Sequence, residues 1–261
     1  AAQDGAGVKI NRHAGRELHK VMNPFLMVDE INSSDASDYM AGFPEHPHRG
    51  FETITYMLDG AMRHRDHMGN EGVIASGDVQ WMTAGKGVIH SEMPEQEDGL
   101  LHGFQLWLNL PAAQKMQPAA YQEITRQQIP EISLAGGGSL KLIAGEFDGI
   151  SGPVVTGDTS ASYMDITLPA QGAVQVPVNS AHNVVVLVFD GATSELSAGQ
   201  MGVYRDGDSV TLTAAEPGAR VLVLAGAPID EPISHYGPFV MNTPEEIEQA
   251  IRDYNEGRLV A

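Results

Sequence analysis

Apolar residues along this chain come in short runs that are separated by turn-forming residues. The runs are of strand length and rich in β-branched and aromatic side chains, which favours strands over helices. The clearest runs are 51–58, 103–110, 140–144, 184–189 and 220–224, and Asp-Gly turns occur at 59–60, 190–191 and 206–207. This pattern predicts an all-β protein built from sandwiches or barrels.

The pattern also repeats at a nearly constant distance. The stretch ETITYMLDG (52–60) is similar to NVVVLVFDG (183–191), and GDVQWMT (77–83) is similar to GDSVTLT (207–213). Offsets of 131 and 130 residues predict two copies of one β-module. We place the seam between Pro111 and Gly138, which gives an N-terminal domain at 1–130 and a C-terminal domain at 131–261.

One helix is clearly predicted, and it lies near the end of the chain. Thr243 is a suitable N-cap, Pro244 fits the first helical position, and Glu246 completes a capping box. A single apolar stripe follows, formed by Ile247, Ala250, Ile251 and Tyr254. We therefore expect a helix over 243–256 that docks by its apolar face, and a second, short helix over 112–117.

Composition narrows the function classes. Acidic residues outnumber basic ones by 34 to 15, and no basic cluster is present, which argues against direct nucleic-acid binding. The chain has no cysteine, which excludes disulfides and thiolate chemistry. It also has no apolar run long enough to span a membrane. We expect a cytoplasmic protein.

Candidate metal ligands occur as two pairs. His46 and His48 flank Pro47, and His90 and Glu92 flank Ser91. Residues two apart on a strand point to the same face, so facing strands would gather three imidazoles and a carboxylate. That ligand set suits one first-row divalent metal ion.

A second carboxylate competes for the fourth position. His46, His48 and Glu52 are spaced evenly, which places Glu52 on the ligand face if one strand continues through Gly50. The residues alone do not separate Glu52 from Glu92. The carboxylate that does not bind the metal would support the ligands or transfer a proton.

The second copy lacks these ligands. At the repeat offset, the four positions carry Pro177, Asn179, Arg220 and Leu222, so we expect one metal site per chain. His182 and His235 are then structural or surface residues. A weaker alternative is a further metal site at His64, Asp66 and His67.

Longer motifs resemble a known family. HPHRGFETITYMLDG, GDVQWMTAGKGVIHSEMP, HGFQLWLNLP and YGPFVMNTPEEIEQAI together resemble the pirins, from about Pro24 to Leu259. The resemblance implies a bicupin, meaning two stacked β-sandwich or barrel domains (double-stranded β-helices), with a metal only in the first. Its ligands would be the residues His46, His48, His90 and Glu92, with Glu52 nearby.

The resemblance also implies a function. Several bacterial pirins resemble quercetin 2,3-dioxygenase, which opens a flavonol ring with O2 and releases carbon monoxide. The implied metal is Fe(II) first, with Mn, Ni, Co, Cu or Zn as alternatives. The alternative function is an iron-dependent redox-sensing regulator that acts through a protein partner. For the enzyme, we expect Glu92 and Glu52 as catalytic carboxylates, and Phe43, Phe51, Met82 and Gln105 along the substrate pocket.

Overall fold

The computed structural model describes residues 2–261, and most of its regular structure is β-strand. The first strands are β1 (Ala2–Asp4), β2 (Val8–Ala14), β3 (Phe25–Ser33), β4 (Phe43–His48), β5 (Phe51–Asp59), β6 (Met62–Asp66), β7 (Glu71–Ile74), β8 (Val79–Thr83), β9 (Val88–Pro94), β10 (Leu101–Asn109) and β11 (Ala120–Ile124). The later strands are β12 (Glu131–Ser133), β13 (Ser139–Ala144), β14 (Glu146–Phe147), β15 (Ile150–Ser151), β16 (Ser162–Leu168), β17 (Ala173–Pro177), β18 (Asn183–Thr193), β19 (Met201–Tyr204), β20 (Ser209–Gly226), β21 (Ser234–Tyr236) and β22 (Phe239–Met241).

Helices are few. The α-helices are α1 (His19–Met22) and α2 (Pro244–Asn255). Short 3-10 helices span Arg16–Leu18, Ala36–Asp38, Ala112–Gln114 and Arg126–Gln128, and the third lies where the sequence predicted a helix over 112–117. No helix in the described part of the chain combines the length and hydropathy needed to span a bilayer.

The all-β prediction is confirmed, and the chain forms two compact units. The first unit contains the residues up to Glu17, 25–126 and 229–261, and the second contains 18–24 and 127–228. One border therefore falls close to the predicted seam. The C-terminal segment, however, returns to the first unit, because its apolar residues pack there.

The first unit has two antiparallel sheets around one core. The larger sheet has the order β1-β2-β3-β10-β5-β8-β11, and the smaller has the order β4-β9-β6-β7. Alternate residues of both sheets point inward, as expected for a sandwich. Their buried apolar core contains Val8, Ile10, Tyr39, Met57, Met62, Ile74 and Leu101.

The second unit repeats this plan with an apolar interior. Its main sheet has the order β12-β13-β16-β20-β18-β19, and β17 pairs with the first half of the long strand β20. The core is mostly aliphatic and includes Leu140, Ile166, Val186, Leu212 and Val223. This unit is thus a cupin-like module whose centre is filled by side chains.

The chain crosses from the smaller sheet to the larger one between β4 and β5, at Gly50. Gly50 has a positive φ of 94° and donates its N–H to the Gly85 carbonyl at 2.8 Å. A Cβ atom there would lie only 2.0 Å from the Val240 carbonyl oxygen. Only glycine fits, and the in–out alternation of β4 does not continue into β5.

The C-terminal helix α2 forms as predicted. Thr243 and Glu246 make the reciprocal capping box, with Pro244 at the first position. Ile247 and Ala250 are buried and pack against Phe239, Met241 and Leu259, whereas Ile251 is half-buried and Tyr254 is exposed. The helix therefore docks through a narrow part of its apolar stripe.

Two cations tie the crossing at Gly50 to this C-terminal segment. Lys115 is 1% exposed, and its Nζ donates to Gly50 O at 2.8 Å, Val240 O at 2.9 Å and Asn109 Oδ1 at 2.6 Å. Arg49 donates to Asp253 Oδ2 at 2.8 Å and Leu259 O at 3.2 Å. The turn that follows His48 is therefore held from two sides.

Replacing Lys115 with Met should destabilise the fold. Three buried acceptors would lose their donor, and each buried unpaired group costs about 1–3 kcal/mol. We expect the free energy of unfolding in urea to fall by about 3 kcal/mol or more, whereas Lys20→Met, at an exposed site, should change it by less than about 0.5 kcal/mol. Equal stability of the two variants would contradict this role of Lys115.

Candidate metal centre

Neighbouring strands of the smaller sheet bring three histidines together. In the antiparallel pair β4–β9, His46 lies directly opposite His90, and His48 lies opposite Val88. His46 and His48 share a face because they are two residues apart. Their ring centroids lie 4.7 Å apart, and His90 lies 4.5 Å from His46 and 5.1 Å from His48. One nitrogen of each ring lies within 4.8 Å of the others.

The nitrogens of this cluster have few protein partners. Both ring nitrogens of His90 and Nδ1 of His48 are buried without a hydrogen bond in the described structure. His46 Nδ1 lies 2.7 Å from the Pro44 carbonyl, so it carries the proton and leaves the Nε2 lone pair available. Because buried polar atoms are normally paired, these residues fit a bound metal ion.

The surroundings keep His48 and His90 neutral. Burial lowers the pKa of His48 far below its usual value, and the neighbouring His46 and His90 lower it further. Burial also lowers the pKa of His90 to about 4, although the nearby Glu92 opposes this effect. Neutral imidazole is the form that binds metal ions, so the cluster is ready to bind at neutral pH.

Glu92 lies beside His90, on the same face of β9. Its Oε2 is 4.0 Å from His90 Nε2, and the side chain is buried. Thr55 Oγ1 donates to Oε1 at 3.2 Å, and Gln105 Nε2 donates to both oxygens at 3.2 and 3.1 Å. The carboxylate is therefore oriented by neutral donors on the larger sheet.

Glu52 is not brought to the imidazoles. It accepts a hydrogen bond from Thr83 Oγ1 at 2.6 Å and another from Trp81, and burial raises its pKa. It lies on the opposite face of β5 from Thr55, the residue that contacts Glu92. The even spacing from His46 to Glu52 predicted a shared face, which is wrong because the chain changes sheets at Gly50. The in–out alternation of side chains ends there.

Two of the three clustered histidines, His46 and His48, line a cleft of about 810 Å3. Two of the four predicted pocket residues, Phe43 and Gln105, line it. Phe51 instead packs behind His48, at 5.2 Å between centroids, and Met82 is buried against Ala84 and Val88. The other residues along the cleft are Asp4, Gly5, Ala6, Arg12, Gly15, Arg16, Glu17, Leu26, Met27, Pro44, Glu45, His46, His48, Trp107, His235, Gly237 and Pro238.

Sequence reasoning missed two aromatic residues of this cleft. The Trp107 ring lies 5.5 Å from His48 and 5.7 Å from His235. Trp107 could have been found, because it is two residues from Gln105 on β10 and so shares its face. His235 carried no local signal, since only the return of the C-terminal segment brings β21 to the first unit.

The second unit lacks a comparable centre, although the repeat alignment placed its positions wrongly. The strand equivalent to β9 is the first half of β20, where Pro177 pairs with Ser209. Arg220 lies in the second half, where it forms an ion pair with Asp165 at 2.7 Å. The chain from β18 to β20 is shorter than the chain from β5 to β9, so one constant offset cannot match all strands. Neither Pro177 nor Ser209, however, carries an imidazole or a carboxylate.

The weaker alternative at residues 64–67 does not form a metal cluster in the described structure. His64 Nε2 pairs with Glu123 Oε1 at 2.8 Å. Asp66 caps the turn at Asn70, and His67 Nδ1 accepts from the Ile89 N–H at 3.2 Å. Each side chain has a structural role of its own.

Comparison with known proteins agrees with this fold. The Pirin family model matches residues 7–108, and the Pirin C-terminal cupin domain model matches 163–260. The chain belongs to the pirin family. It is a bicupin, as the motifs predicted. A Caulobacter vibrioides pirin-like protein is 47% identical, with 98% of this chain and 94% of that protein covered.

Other relatives carry names that mention an enzyme. The Pseudomonas aeruginosa protein named "Putative quercetin 2,3-dioxygenase" is 48% identical, with 99% of this chain and 94% of that protein covered. The crystal structure of quercetin 2,3-dioxygenase from Acinetobacter baumannii is 36% identical with a TM-score of 0.92, and covers 100% of this chain and 95% of that one. Escherichia coli pirin YhhW in complex with nickel(II) shares the fold, with a TM-score of 0.62, 20% identity and coverage of 80% and 84%.

Elemental analysis of loaded protein should find one divalent metal ion per chain. His46, His48 and His90 form the only three-ligand cluster among the described residues. A His46→Ala, His90→Ala double variant should lose the metal, whereas His182→Ala, in the second unit, should keep it. Two equivalents per chain, or full retention in the double variant, would contradict the assignment.

Metal-free protein should lose stability in acid partly through His90. Its folded pKa of about 4 lies below the ordinary value of about 6.5, so the unfolded state binds the proton first as pH falls. This contribution to stability is fully present above about pH 6.5. Between about pH 6.5 and pH 4 the free energy of unfolding then falls by about 3 kcal/mol. The free energy of unfolding in urea, measured at several pH values, should depend less steeply on pH in His90→Asn than in the wild-type protein over this window. An unchanged slope would refute the prediction.

Proposed function

We propose that this pirin is a metal-dependent dioxygenase of the quercetin 2,3-dioxygenase type, which cleaves a flavonol ring with O2 and releases carbon monoxide. The observation that carries the proposal is a cluster of three imidazoles, with Glu92 beside His90, from which His46 and His48 line a cleft with aromatic walls. The likeness to the Acinetobacter baumannii enzyme over the whole chain supports the same reaction class.

The ligand set assigned to the metal is His46, His48, His90 and Glu92. Three neutral donors and one carboxylate leave a divalent ion with a net charge near +1 and leave open positions if it prefers five or six ligands. When bound, the metal supplies Lewis acidity that makes a flavonol hydroxyl more acidic. Fe(II) is our first choice, with Mn, Ni, Co, Cu and Zn as alternatives.

The protein's own side chains prepare the substrate. Glu92 is the base that accepts the hydroxyl proton at a carboxylate oxygen, and Gln105 and Thr55 orient it. Trp107 and Phe43 offer flat apolar surfaces along the cleft, which suit aromatic rings and exclude water. Phe51 and Trp107 also brace the ring of His48, with centroids 5.2 and 5.5 Å away.

A matched comparison of variants should distinguish the roles of Glu92 and Glu52 in metal binding. Glu92→Gln removes a ligand charge and should lower metal affinity by about 100-fold or more, since loss of a supporting residue alone typically costs about 10–100-fold. Glu52→Gln should keep the metal, because Glu52 bonds to Thr83 on the other face of β5. Metal titrations of both variants test this. Loss of metal in Glu52→Gln with retention in Glu92→Gln would reverse the assignment.

Metal-loaded protein should release carbon monoxide from quercetin in air. Colour loss is not sufficient, because flavonols also oxidise spontaneously, so the gas itself should be measured. Metal-free protein and His48→Ala serve as controls, and iron, manganese, nickel, cobalt, copper and zinc should each be tried. If no metal gives more carbon monoxide than the controls, the enzyme proposal fails and a regulatory role through a protein partner becomes the working hypothesis.

A further inference from the structure

A row of polar side chains crosses the larger sheet at right angles to its strands. Arg12, Asp29, Gln105 and Thr55 lie opposite one another in register on β2, β3, β10 and β5. Gln105 and Thr55 hold Glu92 at one end of the row, and Arg12 lies at the other. Arg12 and Gln105 are two strand spacings apart, so their backbones are separated by roughly 10 Å.

Arg12 is held rigidly by two carboxylates. Its Nε donates to Asp29 Oδ1 at 2.9 Å, and its Nη2 donates to Asp29 Oδ2 at 2.7 Å and to Asp4 Oδ2 at 2.7 Å. The Asp29 side chain is only 8% exposed, which makes this bidentate pair well defined. Arg12 lines the cleft and is 36% exposed. Its hydrogen bonds to the described residues all use Nε or Nη2, which leaves Nη1 available.

The local charge shows what such a group can recognise. Two carboxylates surround one guanidinium, so this group of three has a net charge of −1 and does not attract anions in general. Nη1 still presents N–H donors in a fixed direction. This arrangement suits a directional hydrogen bond to an oxygen acceptor on an otherwise aromatic ligand.

We propose that Arg12 is a specificity-determining residue, whose Nη1 donates to a substrate oxygen remote from the metal ligands. A ligand that reaches from Gln105, which bonds Glu92, to Arg12 must cover the two strand spacings that separate the backbones of these residues, roughly 10 Å. The cleft therefore selects phenols with several fused or linked rings over single-ring catechols. This inference rests on the proposed function, because it assumes that the flavonol occupies this cleft.

Binding can be measured without turnover through tryptophan fluorescence. The chain has two tryptophans, of which Trp107 lines the cleft and Trp81 is 2% exposed. Quercetin titrated into metal-loaded protein without oxygen should quench Trp107 saturably. We expect Arg12→Met to raise the Kd for quercetin by about 10- to 100-fold, the usual effect of losing a hydrogen bond to a charged group. The Kd for catechol should not change.

Matched variants separate a directed hydrogen bond from a general charge effect. Arg16→Met removes the same charge from the same cleft, but no carboxylate holds Arg16 among the described residues, so we expect less than about a 3-fold rise in Kd. Arg12→Met leaves buried Asp29 unpaired and could impair folding. Arg12→Lys keeps a cation beside Asp29 and should retain the melting temperature, yet still raise the Kd for quercetin.

Each outcome of these titrations has a definite meaning. Three results would overturn the inference. The Kd for quercetin could be unchanged in both Arg12→Lys and Arg12→Met, or it could rise equally in Arg16→Met. The third such result is quercetin binding to the wild-type protein that does not saturate. Binding that depends on Arg12 without any carbon monoxide release would support this site while the proposed reaction fails. Carbon monoxide release with an unchanged Kd in the Arg12 variants would leave the reaction standing and overturn the inference.

Discussion

The pairing of β4 with β9 is the constraint on which the metal centre depends. It sets His46 opposite His90 and places His48 on the same face, so one register gathers all three imidazoles. A slip by one residue would turn either strand's ligands to the other face. Gly50 helps to prevent this slip, because the chain can cross to the larger sheet only where no side chain is present. Lys115 and Arg49 then hold the crossing against the C-terminal segment.

The centre combines burial with unmet hydrogen-bonding capacity. His90 and His48 are buried with free ring nitrogens, an arrangement that is unfavourable unless another species occupies the space between them. Burial also disfavours protonation, which leaves the lone pairs available at neutral pH. Glu92 adds one negative charge, and neutral donors from the larger sheet orient it. The cluster is thus prepared for a cation before one binds.

The two units show how one topology accommodates two interiors. In the second unit, apolar side chains fill the space between the sheets, and Ser209 pairs with Pro177 where the first unit has paired histidines. In the first unit, a polar row from Arg12 to Thr55 runs across the inner face of the sheet. Such a row is less stabilising than apolar packing, and it is retained where Glu92 and the cleft require polar contacts.

The local sequence pattern was sufficient to predict several features of the structure. The alternation of β4 and of β9 put each ligand pair on one face, and the capping box and apolar stripe defined α2, because both depend only on residues close in sequence. The all-β class followed from the short runs and turns. The family motifs added the bicupin arrangement, and they assigned the fourth ligand position to Glu92 where spacing alone left Glu52 equal.

Tertiary structure decided the rest, because distant segments are involved. Glu52 turned away since the chain changes sheets at Gly50, which periodicity cannot reveal. His235 reached the cleft only through the return of the C-terminal segment. Phe51 and Met82 packed behind the walls of the cleft, whereas Trp107 lined it, because long-range packing determines which inward residues remain accessible. The register that aligns Arg12 with Gln105 likewise depends on strand pairing across the whole sheet.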